Sequence, residues 1–128
     1  MPEPEKCRYT KSHEWIVIEG GEALVGVSDH AQHEISDVVF VDLPKAGRAV
    51  AQGEATAVVE SVKAAFDIYA PAAGMVSDAN PALAADPALL NREPHAGGWL
   101  FKLKGVDSKQ VEALMTLAQY QEFLKTSA

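Results

Sequence analysis

The sequence predicts a mainly β fold with short helices and a helix at the C-terminus, and three observations indicate it. Short runs of valine, isoleucine and aromatic residues, such as Trp15–Ile18 and Val38–Val41, lie between turns that contain glycine or proline. The segments Val41–Val50 and Ile68–Val76 share a strand-like run followed by Pro-x-x-Gly, which marks two similar turns. From near Ser108, apolar residues recur at helical spacing, so we expect an amphipathic helix that covers an open side of the sheet structure. These apolar residues are Val111, Leu114, Met115, Ala118 and Leu124.

The first part of the chain is predicted as a flexible lead-in followed by a pair of strands. Residues 1–8 begin with an acidic, proline-rich run, which favours a flexible N-terminal segment, and residues 9–128 are expected to form one domain. Tyr9–Ile18 is predicted as a strand, two glycines then turn the chain, and Ala23–Val27 is predicted as the paired strand.

Three short helices are predicted from their capping residues. Ser28 has the character of an N-cap, and the helix that it begins runs to about Ile35. Pro81 and Pro87 each suit the first position of a short helix. The expected caps of these two helices are Asn80 and Asp86.

The segment around Lys63 has two interpretations. Apolar residues recur at spacings of four, four and three, and the stretch is rich in alanine, which favours a helix. A hairpin is the alternative, with strands near 56–60 and 65–70 and Val62-Lys63 at its tip, although glycine and asparagine are absent from that tip. The Pro-x-x-Gly turns on either side favour β structure but do not decide by themselves.

Composition excludes several classes of function. The net charge of −7 argues against a nucleic-acid partner, and no apolar run approaches the length of a membrane span. A single cysteine, Cys7, cannot form an internal disulfide. His30 and His33 are at helical spacing but lack an apparent third ligand, so we predict no metal site. The N-terminus is unlike a signal peptide, and a bacterial cytoplasmic protein is the simplest interpretation.

Several motifs in the right order resemble the H protein of the glycine cleavage system, a family of lipoyl carriers, from about Tyr9 to the end. The resemblance implies the hairpin at Lys63 and a flattened barrel of the lipoyl/biotinyl type, built of two antiparallel sheets. The family usually has glycine where this chain has Ser36, and glycine suits a left-handed helix stop. The matching motifs are Ser12–Trp15, Val25–Gln32, Val38–Pro44, Glu60–Ala64, Asp67–Pro71 and Gly97–Lys102.

The resemblance implies that Lys63 carries lipoate through an amide bond and that the protein is a carrier, not an enzyme. The arm would take an aminomethyl group from glycine decarboxylase (P protein) and present it to aminomethyltransferase (T protein). Dihydrolipoyl dehydrogenase (L protein) would then reoxidise the arm, and a lipoate-attaching enzyme would install it. The chain is expected to act as a monomer.

Further residues take expected roles from the same resemblance. Glu60 and Gly47 resemble positions that the lipoate-attaching enzyme recognises, and Asp67, four positions after Lys63, is expected to join them. The alternative is that Gly47 only shapes a turn and Glu60 only keeps the hairpin soluble. Glu14 is expected to pair with the ammonium of the loaded arm in a surface cleft, and the alternative is a solvated carboxylate. Ser28 and Asp29 are expected to line the same cleft.

Other functions for Lys63 are less favoured. A Schiff-base lysine needs burial or a neighbouring cation, whereas Glu60 brings an anion. Biotinyl domains commonly flank their lysine with methionines, and the lipoyl domains of 2-oxoacid dehydrogenase complexes typically carry Asp-Lys. Here the flanking residues are Val62 and Ala64. An ordinary surface lysine, and a relay that hands lipoate to other proteins, are the remaining alternatives.

Overall fold

Two antiparallel sheets form the framework of the computed structural model, which describes residues 3–126. The predicted mainly β fold with short helices and a C-terminal helix is confirmed. The strands are β1 Arg8–Tyr9, β2 Glu14–Glu19, β3 Glu22–Val27, β4 Val38–Asp42, β5 Ala49–Val50, β6 Ala55–Ser61, β7 Ala65–Tyr69, β8 Gly74–Ala79 and β9 Phe101–Lys104. The helices are α1 Asp29–Ile35, α2 Pro81–Ala85, α3 Leu89–Arg92, α4 Ser108–Glu112 and α5 Leu117–Thr126.

The six-stranded sheet has the order β1-β2-β3-β9-β8-β5, and the three-stranded sheet has the order β4-β6-β7. The main core contains inward-facing residues of both sheets, among them Val25, Val59 and Ile68. A second cluster of buried residues joins Trp15 of β2 to Tyr120 of α5. The C-terminal helix therefore covers one side of the sheet structure, as we predicted. None of the helices within residues 3–126 is long and apolar enough to cross a membrane.

The segment predicted as flexible, residues 1–8, has regular structure and one buried residue in the part that the structure describes. Pro4–Lys6 forms a 3-10 turn, and Arg8 pairs with Ile16 in the sheet. Cys7 is only 2% exposed, and burial, followed by the charges of nearby glutamates, raises the pKa of its thiol to about 12. Cys7 is part of the second core cluster, and the flexibility of the segment stays a prediction. Residues 1 and 2 lie outside the described residues.

The strand predicted over Tyr9–Ile18 is two strands separated by a turn. Within this turn the His13 N–H donates to the Thr10 carbonyl at 3.1 Å, and His13 has a φ of 76°. The Thr10 N–H donates to the Glu14 carbonyl at 2.9 Å, which brings the two ends of the turn together. The turn was not predicted because residues 10–13 include no glycine or proline, and the positive φ of His13 cannot be read from the sequence.

The predicted caps of α1 and α2 are confirmed. The Ser28 hydroxyl accepts from the Ala31 N–H, and the Asn80 side chain accepts from the Ala82 N–H. The prediction for the next helix is wrong, because α3 begins at Leu89 and the Asp86 carboxylate pairs with Arg92 instead of capping.

The single C-terminal helix predicted from Ser108 is interrupted near Met115. The Met115 N–H donates to the Tyr9 carbonyl at 3.0 Å, and the Tyr9 N–H donates back at 2.8 Å, so these groups are not available to a continuous helix. A second helix then starts with a capping box, in which Thr116 and Gln119 each accept from the other's N–H. This Thr-x-x-Gln pattern was the sequence signal for the restart.

The repeated Pro-x-x-Gly segments are related in space, but their glycines serve different purposes. The strands that follow the two turns pair with each other, with Val50 opposite Gly74. Gly47 has a φ of +94° with open space around it, whereas a Cβ at Gly74 would lie 3.1 Å from the Lys104 carbonyl oxygen. The first glycine is therefore needed for its backbone conformation and the second for close packing.

Ser36 ends α1 in a conformation that is nearly restricted to glycine, with φ 74° and ψ −159°. We predict that Ser36→Gly raises the free energy of unfolding by about 1 kcal/mol, since relief of backbone strain exceeds the extra freedom of glycine in the unfolded chain. Urea denaturation measures this difference. Ser108→Gly, at the ordinary helical start of α4, is the control and should lower stability by about 0.5 kcal/mol. A loss of stability in Ser36→Gly would contradict the strain argument.

Candidate functional site

Lys63 lies exposed at the tip of a hairpin formed by β6 and β7. Glu60 is paired with Ala65, and the Ser61 N–H donates to the Ala64 carbonyl at 2.8 Å, which leaves Val62 and Lys63 as the two-residue connection. The hairpin is therefore confirmed, and the helical alternative is wrong.

The Ser61 side chain explains how the tip forms without glycine or asparagine. Its hydroxyl oxygen accepts from the N–H of Lys63 at 3.2 Å and from the N–H of Ala64 at 3.3 Å. Neither Val62 nor Lys63 has a positive φ, so the turn does not need the residues that two-residue hairpins usually require. The Val62 N–H also donates to the Asp37 carbonyl at 3.0 Å, which fixes the tip against the start of β4.

Glu60 and Asp67 lie on the outer face of the three-stranded sheet, close to Lys63. Val59 and Ile68 point inward, so the alternating Glu60 and Asp67 point outward, and both are exposed. Gly47 lies elsewhere, because β4 has Val38 beside the tip and runs away from it before Gly47 is reached. The structure therefore brings two of the three residues predicted for enzyme recognition near the lysine.

A cleft of about 290 Å³ runs along the free edge of β7. One wall is formed by Phe66, Asp67 and Ile68 of β7, so the cleft begins three residues from Lys63. The facing wall belongs to the turn before β2, the end of β3 and α1. Its residues are Ser12, His13, Val27, His30, Ala31, Glu34 and Ile35.

The β7 edge presents main-chain groups to this cleft. Because Ser61 and Ala64 form a hydrogen-bonded pair, the alternation of the ladder turns the N–H and C=O of Ala65 and Asp67 away from β6. Tyr69 is the next residue in this alternation, and its N–H donates to Glu14 Oε2 at 3.1 Å. A side-chain carboxylate thus ends the exposed part of the edge.

Glu14 is buried, at 1% exposure, so the alternative of a solvated carboxylate is wrong. Its Oε1 accepts from the Ser12 hydroxyl at 2.6 Å and from the Thr10 hydroxyl, and its Oε2 accepts from Tyr69. Three donors satisfy the carboxylate, which is how an acidic group is accommodated in the interior. Glu14 does not itself line the cleft, but it holds Ser12 on one wall and, through Tyr69, the end of the strand that forms the other wall.

Ser28 and Asp29 line a second cavity of about 480 Å³, which His30 separates from the first. The Ser28 hydroxyl is 2% exposed, caps α1 and lies 2.7 Å from the Tyr120 hydroxyl. The Tyr120 hydroxyl lies 2.8 Å from His13 Nδ1, so Ser28 and His13 are connected to α5 through one tyrosine.

The histidines around these cavities differ in burial. Burial lowers the pKa of His13, and the neighbouring His30, whose ring lies 4.7 Å away, lowers it further. Burial also lowers the pKa of His95, which stacks on Trp15 and whose Nδ1 has no hydrogen-bond partner. His33 is exposed and lies 3.6 Å from Asp29. Within residues 3–126, no three potential metal ligands converge.

Comparisons with known proteins agree with this arrangement. The sequence model described as "Glycine cleavage H-protein" matches residues 7–127. The chain belongs to this family. Glycine cleavage system H proteins are 50% identical in Halothermothrix orenii, over 98% of each chain, and 48% identical in Thermus thermophilus, over the whole of both. A crystal structure of the H protein of Mycobacterium marinum superposes with a TM-score of 0.86 at 35% identity, covering 96% of this chain and 99% of that one.

In this family member, several residues of the cleft were not predicted from the sequence. Ser12 and His13 are part of the motif that identified the family, but only Glu14 of that motif was predicted to have a role at the cleft. His30 and Glu34 are four residues apart in α1 and therefore share one face of the helix. They would have been predicted if that face had been expected to lie toward β7. Tyr120 carried no local signal, because its contacts with His13 and Ser28 join residues about a hundred positions apart.

The two partly buried histidines, His13 and His95, predict a loss of stability in mild acid. A histidine whose folded-state pKa is below its unfolded value of about 6.5 binds more protons when unfolded. Its contribution is therefore complete above about pH 6.5 and is lost as the pH falls through the lowered folded pKa. We predict that the melting temperature decreases between pH 7.5 and pH 5, and less steeply in His13→Asn and in His95→Gln.

The control for this series is His33→Gln, since that side chain is 72% exposed. It should keep the wild-type slope of melting temperature against pH. Identical slopes in all four proteins, measured by circular dichroism, would show that neither His13 nor His95 governs the acid response.

Proposed function

We propose that this protein is the lipoyl carrier of the glycine cleavage system and is not itself an enzyme. The observation that carries the proposal is the exposed lysine on a hairpin tip whose following strand forms one wall of a cleft. Family membership supports the same conclusion. A carrier requires both features, an arm that other enzymes can reach and a surface where it can rest.

Lys63 fits covalent attachment of lipoate. Its side chain is exposed, its neighbours Val62 and Ala64 are smaller, and the turn is held by the Ser61 hydroxyl through main-chain N–H groups, without the amine. Once attached, lipoate supplies a disulfide that takes up the aminomethyl group of glycine and carries it between enzymes. Acylation removes one positive charge and changes the net charge of −7 to −8.

The cleft along β7 lies within reach of such an arm. Asp67 lies four positions after Lys63, a span of about 13 Å in extended chain. A lysine extended by an eight-carbon acyl chain reaches roughly 15 Å from its Cα. The end of the arm can therefore lie beside Asp67 without any movement of the protein.

The residues of the cleft suit a cationic amine as cargo. Asp67 and Glu34 are the acidic residues of opposite walls, and Ser12 adds a hydroxyl. Glu14 acts indirectly, since it orients the Ser12 hydroxyl and fixes β7 through Tyr69. We thus assign the pairing with the ammonium to Asp67 and Glu34, and we assign a positioning role to Glu14.

Glycine decarboxylase, aminomethyltransferase, dihydrolipoyl dehydrogenase and a lipoate-attaching enzyme are the proposed partners, with a monomeric carrier acting in the cytoplasm of a bacterium. The organisms of the relatives named above support the last point. Service to 2-oxoacid dehydrogenases, or a lipoyl relay, is the alternative function.

Lys63→Arg is the decisive substitution for the carrier role, because a guanidinium keeps the charge but does not form the lipoyl amide. We predict that glycine–bicarbonate exchange, measured with purified glycine decarboxylase, falls to the level seen without carrier. Lys45→Arg, at another exposed lysine, should retain the full rate. Exchange that persists in Lys63→Arg would refute the proposal. Activity with a 2-oxoacid dehydrogenase but not with glycine decarboxylase would favour the alternative.

Substitutions of the acidic residues Asp67 and Glu14 should differ in their effect on the stability of the protein. Asp67→Asn is predicted to hasten loss of the cargo from the loaded carrier while leaving the melting temperature unchanged, since Asp67 is exposed. Glu14→Ala is predicted to hasten loss as well and to lower the free energy of unfolding by about 1–3 kcal/mol, because buried donors lose their acceptor. Release of the cargo over time and urea denaturation measure the two effects. Wild-type release rates in both variants would contradict the cleft assignment.

A further inference from the structure

The most exposed large apolar side chains in the described part of the chain gather around the hairpin tip. Val62 is 67% exposed, Val39 is 56% and Phe40 is 52%. We call these three residues the tip patch. Water contact with apolar side chains is unfavourable, and a group of them beside a functional residue is typical of a surface that another protein covers.

The backbone explains why these residues meet. Val38 pairs with Ser61 at the end of β6, and the Asp37 carbonyl accepts from the Val62 N–H, so the start of β4 lies beside the tip. The register of β4 shifts between Val38 and Phe40, and Val39 has no partner residue across the strand. β4 is also an edge strand, which leaves its outer side open.

The outer face of the same sheet adds negative charge to the patch. Phe40, Glu60 and Ala65 form a row across the three strands at the tip. The next row consists of Asp42, Val58 and Asp67, so a valine lies between two carboxylates. Among residues 3–126, no cation lies within 4 Å of Glu60, Asp42 or Asp67.

We propose that the tip patch is the contact surface for the enzyme that acylates Lys63, and this inference rests on the carrier function proposed above. The distance over which the Lys63 side chain extends distinguishes the acylating enzyme from the other proposed partners. The unmodified lysine extends only roughly 6 Å from its Cα, whereas the completed arm extends roughly 15 Å. The acylating enzyme alone must bring its active site to the backbone of the tip, and its surface then covers Val39, Phe40 and Val62.

The acylation step sets what that enzyme must provide. The unprotonated amine of Lys63 attacks the carbonyl carbon of a lipoyl adenylate, which the enzyme forms from lipoate and ATP with release of pyrophosphate. The C–N amide bond forms as the bond between the acyl carbon and the phosphate oxygen breaks. AMP leaves, and the amine gives up its remaining extra proton to solvent or to a base of the enzyme. No group of the carrier takes part except Lys63.

The chemistry of the patch specifies the complementary surface. Apolar side chains at the centre call for an apolar rim around the enzyme's entrance, and the carboxylates of Glu60, Asp42 and Asp67 call for arginine or lysine at its periphery. A carrier with a net charge of −7 also favours association with a basic surface.

The experiment measures acylation of the full-length apo-protein by a purified lipoate–protein ligase supplied with lipoate and ATP. Phe40→Ser and Val39→Ser are predicted to lower kcat/KM about tenfold, mainly by raising KM, because truncation of a central apolar contact weakens binding. Ile18→Ser is the matched control, since Ile18 is 45% exposed on β2 and should leave kcat/KM unchanged. Equal melting temperatures of the variants and the wild type verify that these exposed substitutions leave the fold intact.

Glycine–bicarbonate exchange is the second measurement, and it shows whether the tip patch is specific to the acylating enzyme or is also needed by the other partners. Once fully acylated at high ligase concentration, the Phe40→Ser and Val39→Ser proteins should support glycine–bicarbonate exchange within twofold of wild type. Wild-type values of kcat/KM in both variants would overturn the proposal, as would an equal loss of acylation and exchange, which would indicate a contact shared by all partners. Failure of wild-type protein to be acylated at Lys63 would overturn the carrier function itself and is distinguished by the wild-type control.

Discussion

The Ser61 hydroxyl accepts hydrogen bonds from two consecutive residues, Lys63 and Ala64, and the functional part of the molecule depends on this contact. A two-residue connection normally uses residues that tolerate a positive φ, and here a side chain stabilises the turn instead. The turn fixes the register of β6 and β7. That register places Glu60 and Asp67 on the outer face and directs the main-chain groups of Asp67 toward the cleft.

Glu14 connects this hairpin to the rest of the structure. Its carboxylate accepts hydrogen bonds from the Thr10 and Ser12 hydroxyls in the turn before β2 and from the Tyr69 N–H at the edge of β7. Glu14 therefore joins the two sheets at one end of the cleft. An acidic residue is costly to bury, and three donors offset that cost. The site therefore has a rigid part at Glu14 and an exposed part at Lys63, as a carrier needs.

Local signals predicted those features whose causes are local. Ser28 and Asn80 cap their helices as expected, because each bond spans only two or three residues. The break at Met115 and the burial of Glu14 escaped prediction, since their partners, Tyr9 and Tyr69, are distant in the chain. The hairpin at Lys63 was indicated by family resemblance and not by propensity, and Ser61 shows why a propensity for glycine was a poor guide.

Lys63, and no other lysine, is proposed as the attachment point of the arm. The most direct test is tandem mass spectrometry of peptides from protein purified from its native source. We predict one lipoyl amide, on the peptide that contains Lys63, with every other lysine unmodified. A bare Lys63 in cells that are actively cleaving glycine, or a lipoyl group on a different lysine, would contradict it.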